Sequence, residues 1–309
     1  MELSFERPFE LAGRLRRSAQ KLARGLLTGL KTIMSDRMGA FGLTLLVICG
    51  LVALFAPWLG PYGPYEVNYR EDGSVVRLEP PSRQHWLGTT SIGYDVFSQW
   101  VLGFRMAFVV GGLAALGSVL IGTNLGLISG YFGGWTDQLL MRMTDLAYGI
   151  PFIPFSLIFL ALAGPSVTNM VIVITLFLWR TTARVVRAQV LSLRERPFVW
   201  VARAAGARDM RIVYLHIAPN VMPLAFLYMA FGVASGVMME SGLSFLGFGD
   251  PLTPTWGQML NGVFTAGAIR RAWWWALPPG LALSLFVTAT YMVTRAYEEI
   301  ANPRLREIH

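Results

Sequence analysis

The chain has 309 residues, of which 54% are hydrophobic and only 14% charged, with a mean hydropathy of +0.50. Soluble domains carry roughly 25% charged residues, so this composition is that of a polytopic membrane protein. The net charge of +8 does not mark a nucleic-acid binder, because the arginines are sorted by loop in the manner of the positive-inside rule. The single cysteine, Cys49, sits in an apolar run, which excludes an internal disulfide and a cysteine-based metal site.

Residues 1–37 hold no stretch long enough to span a bilayer. Leu11, Leu15, Leu22, Leu26, Leu30 and Ile33 nevertheless recur at helical steps, while Arg14, Arg17, Lys21, Arg24 and Lys31 share another face. This reads as a basic amphipathic helix on the membrane surface, the alternative being a solvated leader. A cleaved signal peptide does not fit, since the basic region is too long and the span after it is long enough to cross. That first span is Gly39–Leu59, about the 20 residues a bilayer core requires. Gly60–Phe97 then reads as a small ordered extracytoplasmic loop with five acids against three arginines, and Trp86 and Trp100 stand as interface anchors.

A second span covers Met106–Ile128, and Ala114, Ser118, Gly122, Gly126 and Gly130 fall on one ridge that lets another helix approach closely. After the turn Ser129–Asp137, a third span covers Leu139–Ala163. Its Pro151 and Pro154 predict a kink or local unwinding, which either lines a pathway or bends around a neighbour. The fourth span is Ser166–Val186, with Arg180, Arg184 and Arg187 marking its cytosolic boundary. The fifth is Val221–Phe248, followed by a second outer loop through Trp275, and the sixth is Ala276–Val293. The expected fold is therefore an all-α membrane protein with six transmembrane helices. Segments 1–37, 184–211 and 295–309 carry 18 lysines and arginines against 5 in the loops 60–97 and 250–275. That asymmetry places both termini in the cytosol.

Between the fourth and fifth spans lies Leu193–Pro223, LRERPFVWVARAAGARDMRIVYLHIAPNVMP, with Arg194, Arg196, Arg203, Arg208 and Arg211 in one interruption. Pro197 stands where a first-turn proline is tolerated, and a short helix over Phe198–Ala207 is expected outside the bilayer. The only lysines, Lys21 and Lys31, lie outside any GxxxxGK[ST], so the chain carries no phosphate-binding loop and does not hydrolyse ATP by itself. His85, His216 and His309 are scattered over loops, and neither HExxH nor GxSxG occurs, which leaves an intramembrane enzyme without its parts. His216 reads as an interfacial hydrogen-bonding residue beside a helix start rather than a ligand. Glu240, an acid within a span, either faces a water-filled pathway or pairs with a neighbouring helix or a partner subunit. No repeated acidic or carbonyl filter of an ion channel is present.

VARAAGARDMRIVYLHIAPNVMP (201–223) resembles the cytoplasmic coupling loop of binding-protein-dependent ABC importer permeases. It supplies Ala202, Arg203, Ala204, Gly206, His216, Ile217, Pro219, Asn220 and Pro223 of that pattern. HWLGTTSIGYDVFS (85–98), SGYFGGWTDQLLMRMTD (129–145), VRAQVLSLRER (186–196), ESGLSFLGFG (240–249) and the closing NPRLR look like the dipeptide/oligopeptide permease family, specifically its C-type subunit. The resemblance covers most of residues 37–305. It implies a type I ABC importer permease working by alternating access for peptides or similar small solutes, with nickel chelates or oligosaccharides as alternative cargo. A receptor or scaffold with a non-ATPase partner is the rival from another class.

The implied partners are a B-type permease in a heterodimer, two cytosolic ATPases carrying ATP and Mg, an extracytoplasmic substrate-binding protein and membrane lipid; no cofactor is bound by this chain. Trp200, Ala202, Arg203, Ala205, Gly206 and Ala207 would form the ATPase-coupling site, with His216, Pro219 and Asn220 supporting the loop. The implied divisions are an N-terminal segment 1–37, a first helix and outer loop 38–105, a five-helix core 106–297 containing the coupling loop 187–219, and a tail 298–309. Two positions depart from the family pattern. Trp200 and Val201 stand where Glu and Ala are usual, so Trp200 either anchors a protein contact or tucks against this chain's own membrane end. Tyr94 stands where LGTDxxGRD usually has Arg.

Overall fold

Two carboxylates set where the first two spans begin. Asp36 accepts a 2.7 Å hydrogen bond from the Gly39 amide and opens α1 (Arg37–Leu59); Asp95 accepts one of 2.8 Å from the Ser98 amide and opens α2 (Val96–Phe132). Each satisfies a backbone N–H that a helix start leaves without a partner. The computed structural model describes residues 29–31 and 33–301. Most of the N-terminal amphipathic segment and the final tail lie outside those residues. With 37 residues, α2 is about 55 Å long, well beyond the ~30 Å hydrocarbon core. It starts at Val96 rather than at the expected Met106, because the Asp95 cap lies a full apolar stretch before the hydropathy maximum.

The third span is broken rather than kinked. α3 (Gly134–Gly149) and α4 (Phe152–Ala163) meet at 87°, with Ile150 and Pro151 extended between them. Ser166 caps α5 (Val167–Leu193), which runs beyond the expected Val186. The short α6 (Pro197–Ala204) follows. A turn at Asp209–Arg211 and a π-helical stretch at Ile212–Ile217 then lead without interruption into α7 (Ala218–Leu243) and a second π-helical stretch, Ser244–Phe248. The expected coupling loop 187–219 is therefore helical at both ends. The second outer loop contains a helix the sequence reading missed, α8 (Trp256–Thr265), held by a capping box between Thr255 and Gln258. The last helix is α9 (Trp273–Ala301). Among the described residues five helices are long and apolar enough to cross a membrane, six if α3 and α4 count as one broken span.

The small-residue ridge of α2 lies against α5. A Cβ on Gly122 would come 2.5 Å from the Trp179 carbonyl oxygen, one on Gly126 2.7 Å from that of Ala183, and one on Gly130 2.7 Å from Val190 Cβ. Ala114 and Ser118 continue the ridge fully buried. On its other side α2 meets α7, where Gly111 packs under Val233 and Val237. α1 closes on α9 through Gly42, against Met292 and Ala289, and turns Phe41, Val47, Leu51, Leu54 and Trp58 outward. A helix that is apolar all round suits a lipid-exposed position.

The loop 60–97 is ordered by short antiparallel bridges, Tyr69 with Val75 and Thr89 with Asp95. His85 is buried within it, its Nδ1 2.9 Å from Asp95 Oδ1. Trp100, expected as an interface anchor, packs between Phe97 and Phe104 and donates to the Pro278 carbonyl.

Gly126→Leu forces atoms into the α2–α5 backbone contact and should cost about 1–3 kcal/mol. Gly112, on the same helix, has nothing within 4 Å of a built Cβ, so Gly112→Leu should stay within about 0.5 kcal/mol of the wild type. Thermal unfolding of the detergent-solubilised chain separates the two; equal melting temperatures would contradict the packing.

Candidate coupling site

α6 owes its short length to its ends. Pro197 occupies the first helical position, where its missing N–H costs nothing. At the other end Gly206 adopts φ +78°, its N–H reaching the Arg203 carbonyl at 3.0 Å, and the Ala207 N–H reaches the Ala202 carbonyl at 3.1 Å. These two bonds form a Schellman stop, and the left-handed residue it needs is nearly always glycine. Ala202 and Ala207 complete it by packing inward on the cluster of Leu127, Tyr131, Val186, Val190, Val199, Ile212 and Val213.

The helix presents two faces. Val199 is fully buried beneath it, while Trp200 is 59% and Val201 69% exposed, with Phe198 beside them. Trp200 does not tuck against the membrane end. Ala205 and Gly206 are also exposed. Arg203 turns back instead: its Nη2 donates to the Tyr131 hydroxyl at 3.3 Å, and that hydrogen bond is the first cause holding the guanidinium above its ordinary value. The Tyr131 hydroxyl in turn donates to Asp209 Oδ1 at 2.6 Å.

His216, Pro219 and Asn220 lie on helix, not loop. Pro219 and Pro223 both lack the N–H that an α-helix needs, and the chain is widened to a π-turn immediately before them. The Asn220 side-chain amide donates to the His216 carbonyl at 2.7 Å. Glu240 lies near the far end of α7. It is buried and accepts from Ser244 at 2.6 Å and from Ser241 at 3.2 Å. Among the described residues no basic side chain pairs with it.

At the end away from α6 the two outer loops meet. Tyr94, in the place of the pattern's arginine, sets its ring edge-on to Tyr65. Burial first, then the Asp250 charge and Tyr94, push the Tyr65 phenol up to about 12.

Sequence reasoning missed Tyr131, Asp209 and Asp137. Asp137 takes a two-pronged ion pair from Arg187, and Asp145 pairs with Arg184. The available signal is a pair of acids eight residues apart on one amphipathic helix, opposite the cations Arg184 and Arg187 at the end of the fourth span.

The fold and this site define a polytopic helical membrane protein that exposes one short, rigid, apolar-faced helix between two spans. Residues 122–307 match the family described as binding-protein-dependent transport system inner membrane component, and residues 30–81 match the N-terminal transmembrane domain of oligopeptide transport permease C. The chain belongs to this family: it is a permease subunit of an ABC transport system, a multi-pass inner-membrane protein and not itself an enzyme. It is 33% identical to a dipeptide transport system permease protein DppC of Alkalihalophilus pseudofirmus, over 89% of each chain. It is 32% identical to the glutathione transport system permease protein GsiD of Pectobacterium atrosepticum, over 86% of this chain and 87% of that one. It is also 32% identical to the oligopeptide transport system permease protein OppC of Bacillus subtilis, over 82% and 83%.

Replacing Gly206 with alanine strains the left-handed position by about 1–2 kcal/mol. The Gly206 and Ala207 amides should then exchange with deuterium roughly 5–30-fold faster. Unchanged protection would contradict the Schellman stop.

Proposed function

We propose that this chain is the C-type permease of an importer for di- and oligopeptides, working by alternating access beside a B-type permease. Two cytosolic ATPases, loaded with ATP and Mg, drive the pair, and one of them receives α6 in a surface cleft. An extracytoplasmic binding protein delivers the solute at the opposite end. The observation that carries this reading is the outward face of Phe198, Trp200 and Val201 on a helix stopped at both ends. Large exposed apolar side chains on a short rigid element, ringed by arginines, fit a protein groove better than water. The excess of cations in the segments around α6 and toward both termini supports a cytosolic location for them. Peptide cargo is supported by the relatives' names, which specify a dipeptide, an oligopeptide and the tripeptide glutathione.

With the usual acid replaced by Trp200, ATPase docking here depends on apolar burial. Trp200→Ala should weaken retention of the ATPase by about 2 kcal/mol, or ~30-fold, and leave membrane insertion intact. The measurement is titration of the purified ATPase onto the permease pair in nanodiscs, followed by uptake of radiolabelled dipeptide into proteoliposomes. Wild-type affinity in the variant would overturn the docking role, and competition by a nickel chelate or an oligosaccharide but not by peptides would overturn the cargo.

A further inference from the structure

Three consecutive residues at the end of α2 make polar contacts to α3, to the end of α5, and to both sides of the turn that closes α6. The Ser129 hydroxyl donates to Asp137 of α3, and the same carboxylate takes Nε and Nη2 of Arg187 from α5 at 2.5 and 2.6 Å. The Gly130 carbonyl accepts from Arg194, just past α5, at 3.0 Å. Tyr131 accepts from Arg203 in the last turn of α6 and donates to Asp209 just beyond it, with the Arg203 guanidinium 5.8 Å from the centre of its ring. The first two residues fix the neighbouring spans. Only the third reaches the coupling helix.

From this arrangement we infer that Tyr131 is a positioning residue: its hydroxyl bridges the two sides of the Gly206 turn and passes displacement of α6 into α2. The inference rests on the coupling role proposed for α6. Arg203 and Asp209 flank Gly206, so α6 cannot rock about that turn without stretching one of the two hydrogen bonds to Tyr131. The bond to the Asp209 carboxylate is charge-assisted and short. Behind Tyr131, α2 is seamed to α5 by backbone contact and reaches without a break to the outer end, where Trp256 of α8 donates to the Trp100 carbonyl at 3.1 Å. Tightly packed elements of this kind move as rigid bodies. Without the hydroxyl, Val199 and Ala202 still anchor α6 by apolar burial, but the side-chain bridge across the Gly206 turn is lost.

Tyr131→Phe keeps the ring and removes the bridge. It is tested in the assembled transporter in proteoliposomes, reading basal ATP hydrolysis, its stimulation by the cognate binding protein, and uptake of radiolabelled alanyl-alanine. The expected result is near-normal basal hydrolysis with stimulation and uptake per ATP both reduced about fivefold or more. Asp209→Ala, which removes the acceptor, should show the same loss, and the double variant no further loss, because the two act through one bond. Wild-type stimulation and stoichiometry in Tyr131→Phe would overturn the inference, as would parallel loss of basal hydrolysis, uptake and thermal stability, the mark of a packing role alone. Gly206→Leu tells the two levels apart. If it uncouples while Tyr131→Phe does not, only the bridge fails; if neither uncouples, the coupling role of α6 fails with it.

Discussion

The close backbone approach of α2 to α5 is the constraint on which the rest of the structure depends. Any side chain at Gly122, Gly126 or Gly130, even the methyl of alanine, would press into the carbonyl oxygens or Cβ atoms of α5. In a bilayer, where lipid is as apolar as leucine, association between spans rests on this kind of fit rather than on burial from water. The seam also brings α5's arginines within reach of Asp137 and of the α2 terminus, so one contact sets both the packing and the polar frame at that end.

The frame accounts for the shape of the candidate coupling site. α6 is too short to be stable on its own. It persists because Pro197 and Gly206 define its ends, Val199 fills the cluster below, and Arg203 is held by Tyr131. What it leaves exposed is an apolar face, the kind of surface that marks an interaction site. At the far end of α7, Glu240 has a different setting, buried and held by the hydroxyls of Ser241 and Ser244 on its own helical run.

Some of this was legible in the sequence, and the reasons differ by element. The four-residue ridge and the first-turn proline of α6 are local patterns and could be read directly. Pro151 announced an interruption, but the 87° turn depends on what α4 packs against, here Phe177 of α5. The start of α2 was written in Asp95-x-x-Ser98 and that of α8 in Thr255-x-x-Gln258, yet both lie in polar, proline-rich surroundings where a hydropathy window finds no span. Tyr131 and Asp209 are 78 positions apart, and no local periodicity relates them. Only the antiparallel return of the chain brings them together.

The central claim is that α6 inserts into an ATPase subunit through its Trp200–Val201 face. A photo-activated benzoyl-phenylalanine placed at Val201, which is 69% exposed, tests it most directly in the assembled membrane complex. The account predicts one dominant cross-link, to a nucleotide-binding subunit, whose yield changes when ATP and Mg are added. Cross-links confined to lipid or to this chain would contradict it.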